Sequence, residues 1–205
     1  MGKGAKIALA VLGAVVLVLI IFGGAIASTY NSLVRLDQAT QTQWAQVENQ
    51  YQRRTDLVPN LVGTVKGAAN FEQSTLTAVT EARSRVGQVT SGAVENIARD
   101  PQAFARFQQA QDQLSSALSR LMVVAERYPE LKATQNFRDL QVQLEGTENR
   151  IAVERMRFNE AAMAFNTKRD TFPTVLIAGL FGSRFQEKPY FKSQTGAEKA
   201  PEVKF

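Results

Sequence analysis

The feature that most limits this chain is near its start, where Ile7 to Ala27 gives twenty-one consecutive residues without a charge. As a helix such a run covers roughly 31 Å, the thickness of a bilayer's hydrocarbon core. Two readings are open. In one the segment stays in the lipid bilayer as a span through residues 7–27. In the other it is a signal peptide, with Ala25-Ile26-Ala27 as the small-residue cleavage site. The apolar core Ile7–Phe22 is longer than signal peptides usually carry, which favours the span. Lys3 and Lys6 precede it and the next basic residue is Arg35, so the N-terminus is expected in the cytoplasm. Both readings place the remaining chain on the other side of the membrane.

What is missing narrows the chemistry. The 205 residues include no cysteine and no histidine. That removes disulfides, thiolate nucleophiles, Cys/His zinc sites, the Glu-x-x-His pairs of a bundle di-iron centre and the commonest general base. No phosphate-binding glycine loop or nucleophile elbow is present either. Glu145, Glu148, Glu154 and Glu160 read as a solvated helix surface, since Arg150 and Arg157 stand one turn to either side of Glu154. No catalytic residue, metal ligand or cofactor is expected. The net charge is +5, and only +3 once Lys3 and Lys6 are set aside, with the signs interspersed. A nucleic-acid partner is therefore not expected.

Beyond Tyr30 the apolar residues recur at helical spacing. Trp44, Val47, Tyr51, Val58, Leu61, Val65 and Ala68 form one stripe, and Phe104, Phe107, Leu114, Leu118 and Leu121 a second. Phe137, Leu144, Ile151, Phe158, Phe165 and Phe172 follow a strict heptad, with Leu140 and Ala162 as partial company. No segment alternates as a strand would. Asp100-Pro101 reads as a helix cap followed by proline at the first helical position, and Pro129 marks another break.

Pro59 is the ambiguous signal. The stripe runs straight through it, which suits a kinked rod, but a proline inside a helix costs about 3 kcal/mol. If Asp56 caps a new helix, Pro59 sits where its amide has no intrahelical partner to lose. A helix from 30 to 88 would be on the order of 90 Å long, more than the later helices can cover. The break is the reading adopted, with Asp56, Pro59 and Asn60 as a turn and helices near 30–54, 57–88, 101–127 and 133–171. The predicted fold is all-α: an N-terminal transmembrane helix (1–29) and an antiparallel up-and-down four-helix bundle (30–185). A flexible polar tail (186–205) follows.

Arg54 and Glu148 are candidate polar partners on the inner faces. With helix 1 ending near residue 54, Arg54 lies at the far end of the bundle, while Glu148 lies about 22 Å into the last helix. The pairing is therefore not expected, and Gly146 is read as permitting close helix approach. After Pro173, the residues Val175, Leu176, Ile177, Leu180, Phe181 and Phe185 make an apolar patch too short to span a bilayer. Two roles are open to it: folding over the base of the bundle, or contacting the lipid interface or a partner subunit.

Several stretches together resemble the LemA family of bacterial membrane proteins. They are RRTDLVPNLV from Arg53, LEGTENRIAV from Leu144, FPTVLIAGLFG from Phe172 and KAPEVKF at the end. The resemblance covers about Tyr30 to the C-terminus and implies a four-helix bundle behind one membrane helix in the inner membrane. It brings no catalytic residues. The function implied is a non-catalytic scaffold of the cell envelope, with other membrane or envelope proteins and further copies of itself as partners. The alternative is a bundle that binds or shapes the membrane interface through residues 175–185.

Overall fold

A single helix, α1 (Lys3–Lys66), runs from the apolar segment deep into the core without a joint. The computed structural model describes residues 2–67, 72–93 and 97–192. After α1 come α2 (Gln73–Ala93), α3 (Pro101–Ala125), the short α4 (Pro129–Ala133), α5 (Gln135–Asp170) and α6 (Thr174–Leu180). A 3-10 turn, Gly182–Phe185, and an extended strap to Lys192 follow. No strand occurs among the described residues.

The expected break at Asp56 to Pro59 is therefore wrong: Pro59 lies inside α1. Pro59 is exposed, on the rim of a groove between α1 and the start of α5. The carbonyl it deprives of a donor, that of Thr55, accepts instead from Arg83 Nε of α2 at 3.3 Å. Asp56 caps nothing. Its carboxylate accepts from Gln52 Nε2 at 2.8 Å, one turn earlier on the same helix. Asn60 likewise stays helical, its carbonyl accepting the Thr64 hydroxyl. The break comes after Lys66, so the part of α1 beyond the membrane segment needs covering over about 55 Å only. The 36 residues of α5 match that length closely.

Other boundaries follow the expected turn chemistry. Asp100 accepts from the Gln102 amide at 2.8 Å and Pro101 opens α3. Pro129 opens α4, so the proline at that break starts a short helix before the last long one.

Packing is pairwise. The α1 helix lies antiparallel along α5: Leu33 packs in one cluster with Phe165, and Val58, Leu61 and Val65 in another with Phe137 and Leu144. The α2 and α3 helices pair with each other, and their Leu76, Val79, Leu118 and Leu121 close over the distal part of α1. Five of the six heptad positions on α5 are buried; Phe172 lies beyond the helix end and is 76% exposed. The large apolar residues of α1 from Ile7 to Ile26 are exposed along their length. Among the described residues α1 is the one helix long and apolar enough to cross a membrane. Of the stretch expected as a flexible tail, Gln186–Lys192 is instead packed, with Lys188 and Phe191 buried. Ala68 and residues 193–205 lie outside the described residues.

Candidate functional site

Three places on this scaffold concentrate chemistry. The first is at mid-height in the core. Arg54 of α1 is 1% exposed, and its guanidinium fans out to three partners. One nitrogen donates to Glu148 of α5 at 2.7 Å and to the Ser115 hydroxyl of α3. The other donates to the backbone carbonyl of Gln111 at 3.1 Å and to its side-chain oxygen. The Tyr51 ring lies 5.0 Å beneath. Arg54 and Glu148 thus pair, contrary to the expectation from sequence. With α1 unbroken, Arg54 is twelve residues before its end and Glu148 thirteen after the start of antiparallel α5, which puts them level.

A buried arginine held by one half-exposed carboxylate and neutral oxygens is a fastener between helices. Removing one partner strands a charge, whereas the complete set fixes which faces meet. Gly146, two residues before Glu148, does not serve close helix approach. A methyl group there would meet only the Arg150 side chain of its own helix, at 3.6 Å.

Beside this fastener lies a cleft of about 450 Å³, lined by Glu48, Tyr51 and Thr55 of α1, Gly87 and Thr90 of α2 and Phe107 of α3. Burial pushes the Glu48 carboxyl above the usual carboxylate range, and the Trp44 indole one turn earlier pulls the other way. Burial also raises Tyr51, opposed by the guanidiniums of Arg155 and Arg54 and reinforced by Asp112 and Glu148. Glu48 is the one acid among these lining residues, so the cleft lacks the paired carboxylates of acid–base catalysis. No group of three or more acidic side chains suited to a metal ion occurs among the described residues.

The second place is where the strap crosses α5. Asn166 accepts from the Lys188 amide at 2.8 Å and donates to the Lys188 carbonyl at 2.9 Å. Asn159 repeats the pattern on Phe191 at 2.9 and 3.0 Å. Seven residues of helix rise about 10.5 Å, and three residues of extended chain cover about 10 Å, so two heptad-spaced asparagines match alternate rungs of the strap. The Lys188 ammonium then reaches Asp37 of α1, both groups buried, and lies 4.9 Å from the Phe165 ring. Arg99 donates to the same carboxylate at 3.2 Å, as does Gln41 at 2.8 Å. Phe191 completes an aromatic cluster around Trp44, Phe104 and Phe158. Sequence reasoning missed this clamp; Asn159 and Asn166, each next to a core phenylalanine, were its only trace.

The third place is the apolar segment after Pro173. It divides. Ile177 and Phe185 are buried and unavailable to lipid or partner, whereas Val175, Leu176, Leu180 and Phe181 are exposed. Phe181 and Phe185 pack against Tyr30 of α1 with ring centroids 4.8 and 5.5 Å away.

The profile of the LemA family matches residues 43–205. Magnetosome protein MamQ 2 of Paramagnetospirillum magneticum is 28% identical over 92% of this chain and 75% of its own length. Magnetosome protein MamQ of Magnetospirillum gryphiswaldense is 27% identical over 85% and 71%. Protein LemA of Metamycoplasma hominis is 24% identical over 72% and 63%. With an apolar N-terminal helix long enough to cross a membrane leading straight into a helical core, the chain belongs to the LemA family.

Proposed function

We propose that this protein is a non-catalytic scaffold of the bacterial cell envelope, a four-helix bundle of α1, α2, α3 and α5 held at a fixed height on the inner membrane. The observation that carries this reading is the continuity of α1, which joins the apolar segment to the core without a hinge. The buried charged side chains among the described residues, Arg54, Asp37 and Lys188, are committed to one another or to neighbouring helices. They are fasteners rather than reagents. Lys3 and Lys6 ahead of the apolar run favour a cytoplasmic N-terminus and an extracytoplasmic bundle.

Self-association is part of the proposal. Val142, Met156 and Met163 are exposed on α5 at heptad-related positions, with exposed Val153 beside them. Such a seam suits the same helix of a second copy. The cysteine-free chain makes the test direct. Met156→Cys and Val153→Cys variants in intact cells, treated with a bifunctional maleimide, are expected to yield a homodimer band or an adduct with another envelope protein. Monomer alone at both positions rejects the scaffold reading. Gly2→Cys and Val123→Cys, the latter exposed on α3 outside the seam, probed with a membrane-impermeant maleimide on intact spheroplasts, test the orientation: only the second should label.

A further inference from the structure

The exposed half of the segment after α5 gains meaning from its height on α1. Because α1 is one uninterrupted helix, the depth of any residue near its exit from the membrane follows from helical rise alone. Tyr30 stands three residues past Ala27, about 4.5 Å above the end of the apolar run. Phe181 contacts Tyr30, which brings the end of α6 beside that point of α1. On and next to α6, Phe172, Leu176 and Leu180 are 76%, 62% and 80% exposed, and Val175 and Phe181 are partly so. Thr174, Ile177 and Ala178 meanwhile face the protein. A short helix apolar on its outer face as well as its inner one is poorly matched to water and well matched to a bilayer surface.

A cation stands beside this patch. The Arg184 guanidinium lies 5.7 Å from the rings of both Tyr30 and Phe185. Arg169, in the last turn of α5, ties the Phe185 carbonyl at 2.7 Å and so holds the turn after α6 against the helical domain.

We propose that Phe172 and α6 form a second, interfacial membrane contact, seated in the bilayer surface beside the point where α1 emerges. This rests on the reading of α1 as a retained anchor. One span leaves a domain free to tilt and to turn about the span's axis. A second contact off that axis removes both freedoms, so that a chosen face of the bundle is presented to the aqueous side.

The test uses the full chain in phosphatidylethanolamine–phosphatidylglycerol vesicles, with single nitroxide labels on Phe172→Cys, Leu176→Cys or Leu180→Cys. Collision with oxygen reports lipid, and collision with a water-soluble nickel chelate reports water. All three labels are expected to favour oxygen severalfold, as Leu17→Cys in the anchor does, while Val123→Cys, on the exposed side of α3 and outside the α5 seam, favours nickel. Labels at 176 and 180 that behave like Val123 overturn the proposal and leave the anchor intact. So does shielding from both reagents with spin–spin broadening, which would mean that a second copy covers the patch. If Leu17→Cys itself favours nickel, the anchor reading fails first.

Discussion

Arg83 Nε of α2 donates to the carbonyl of Thr55, the one backbone acceptor on α1 that Pro59 leaves without its helical donor. The hydrogen bond explains how a proline can sit in the interior of a 64-residue helix. Its two usual penalties are a lost donor and a ring clash. Here the first is met from a neighbouring helix, and Pro59 itself is exposed.

Pro59→Ala is accordingly expected to keep the fold and to stabilise the protein by about 1 kcal/mol, less than the full interior penalty because proline also stiffens the unfolded chain. Arg83→Ala should cost under about 1 kcal/mol in the parent, as befits an exposed hydrogen bond. In the Pro59→Ala background that cost should shrink, because the backbone N–H restored by the substitution takes over the Thr55 carbonyl. Urea melts of the four proteins give the coupling. Destabilisation by Pro59→Ala alone would contradict the account.

Arg54→Ala should be among the most damaging single changes, costing about 3 kcal/mol or more, since it opens a buried gap and strands the Gln111 and Ser115 oxygens. Glu148→Gln should cost about 1 kcal/mol or less, because that carboxylate is half in water and the amide oxygen still accepts. Arg54→Lys should rescue little, as an ammonium cannot fork towards α3 and α5 together. Thermal melts should place Arg54→Ala lowest, Arg54→Lys close above it and Glu148→Gln nearest the parent; equal losses would mean the fan of contacts is not what holds Arg54.

Asn166→Ala removes both rungs at Lys188 and should loosen the strap more than it harms the core. The expected readout is faster amide exchange across residues 187–192, with a stability loss of about 2 kcal/mol. Lys188→Met should do less at those amides, because Asp37 keeps Arg99 and Gln41. Unchanged exchange in Asn166→Ala would remove the clamp from the account.

Glu48 supplies a pH signature. Its carboxyl is raised by burial, so the folded state holds the proton more tightly than the unfolded chain does. Between the ordinary carboxylate value and the raised one, the folded protein is protonated there while the unfolded chain is ionised. Stability from this site therefore grows as pH falls through that window and is lost as pH rises through it. Glu48→Gln should flatten that part of the stability–pH curve. A slope of the opposite sign that vanishes in the variant would mean the carboxylate is stabilised in the fold.

Much of this architecture was legible before any coordinates. The heptad on α5, the stripe through Trp44 and Tyr51, and the Asp100-Pro101 start of α3 all follow from local periodicity and capping, and the structure keeps them. Pro59 was not legible, because whether a helix tolerates proline depends on which side of the bundle it faces and on a donor twenty-eight residues away. That error carried forward: a break at residue 56 shifts α1 against α5 and hides the Arg54–Glu148 pair. The strap escaped notice for another reason. Its hold on α5 comes from asparagine side chains acting on backbone groups, which leaves no apolar period to read.

A shaft common to the apolar segment and the helical core is also a compass needle. One residue inserted between Ala27 and Tyr30 would swing everything above it by about 100° relative to the apolar segment and lift it by about 1.5 Å, while leaving every contact inside the head untouched. The bearing of the head relative to that segment is thus set by a residue count at the collar, and a change of one there would alter it without unfolding anything.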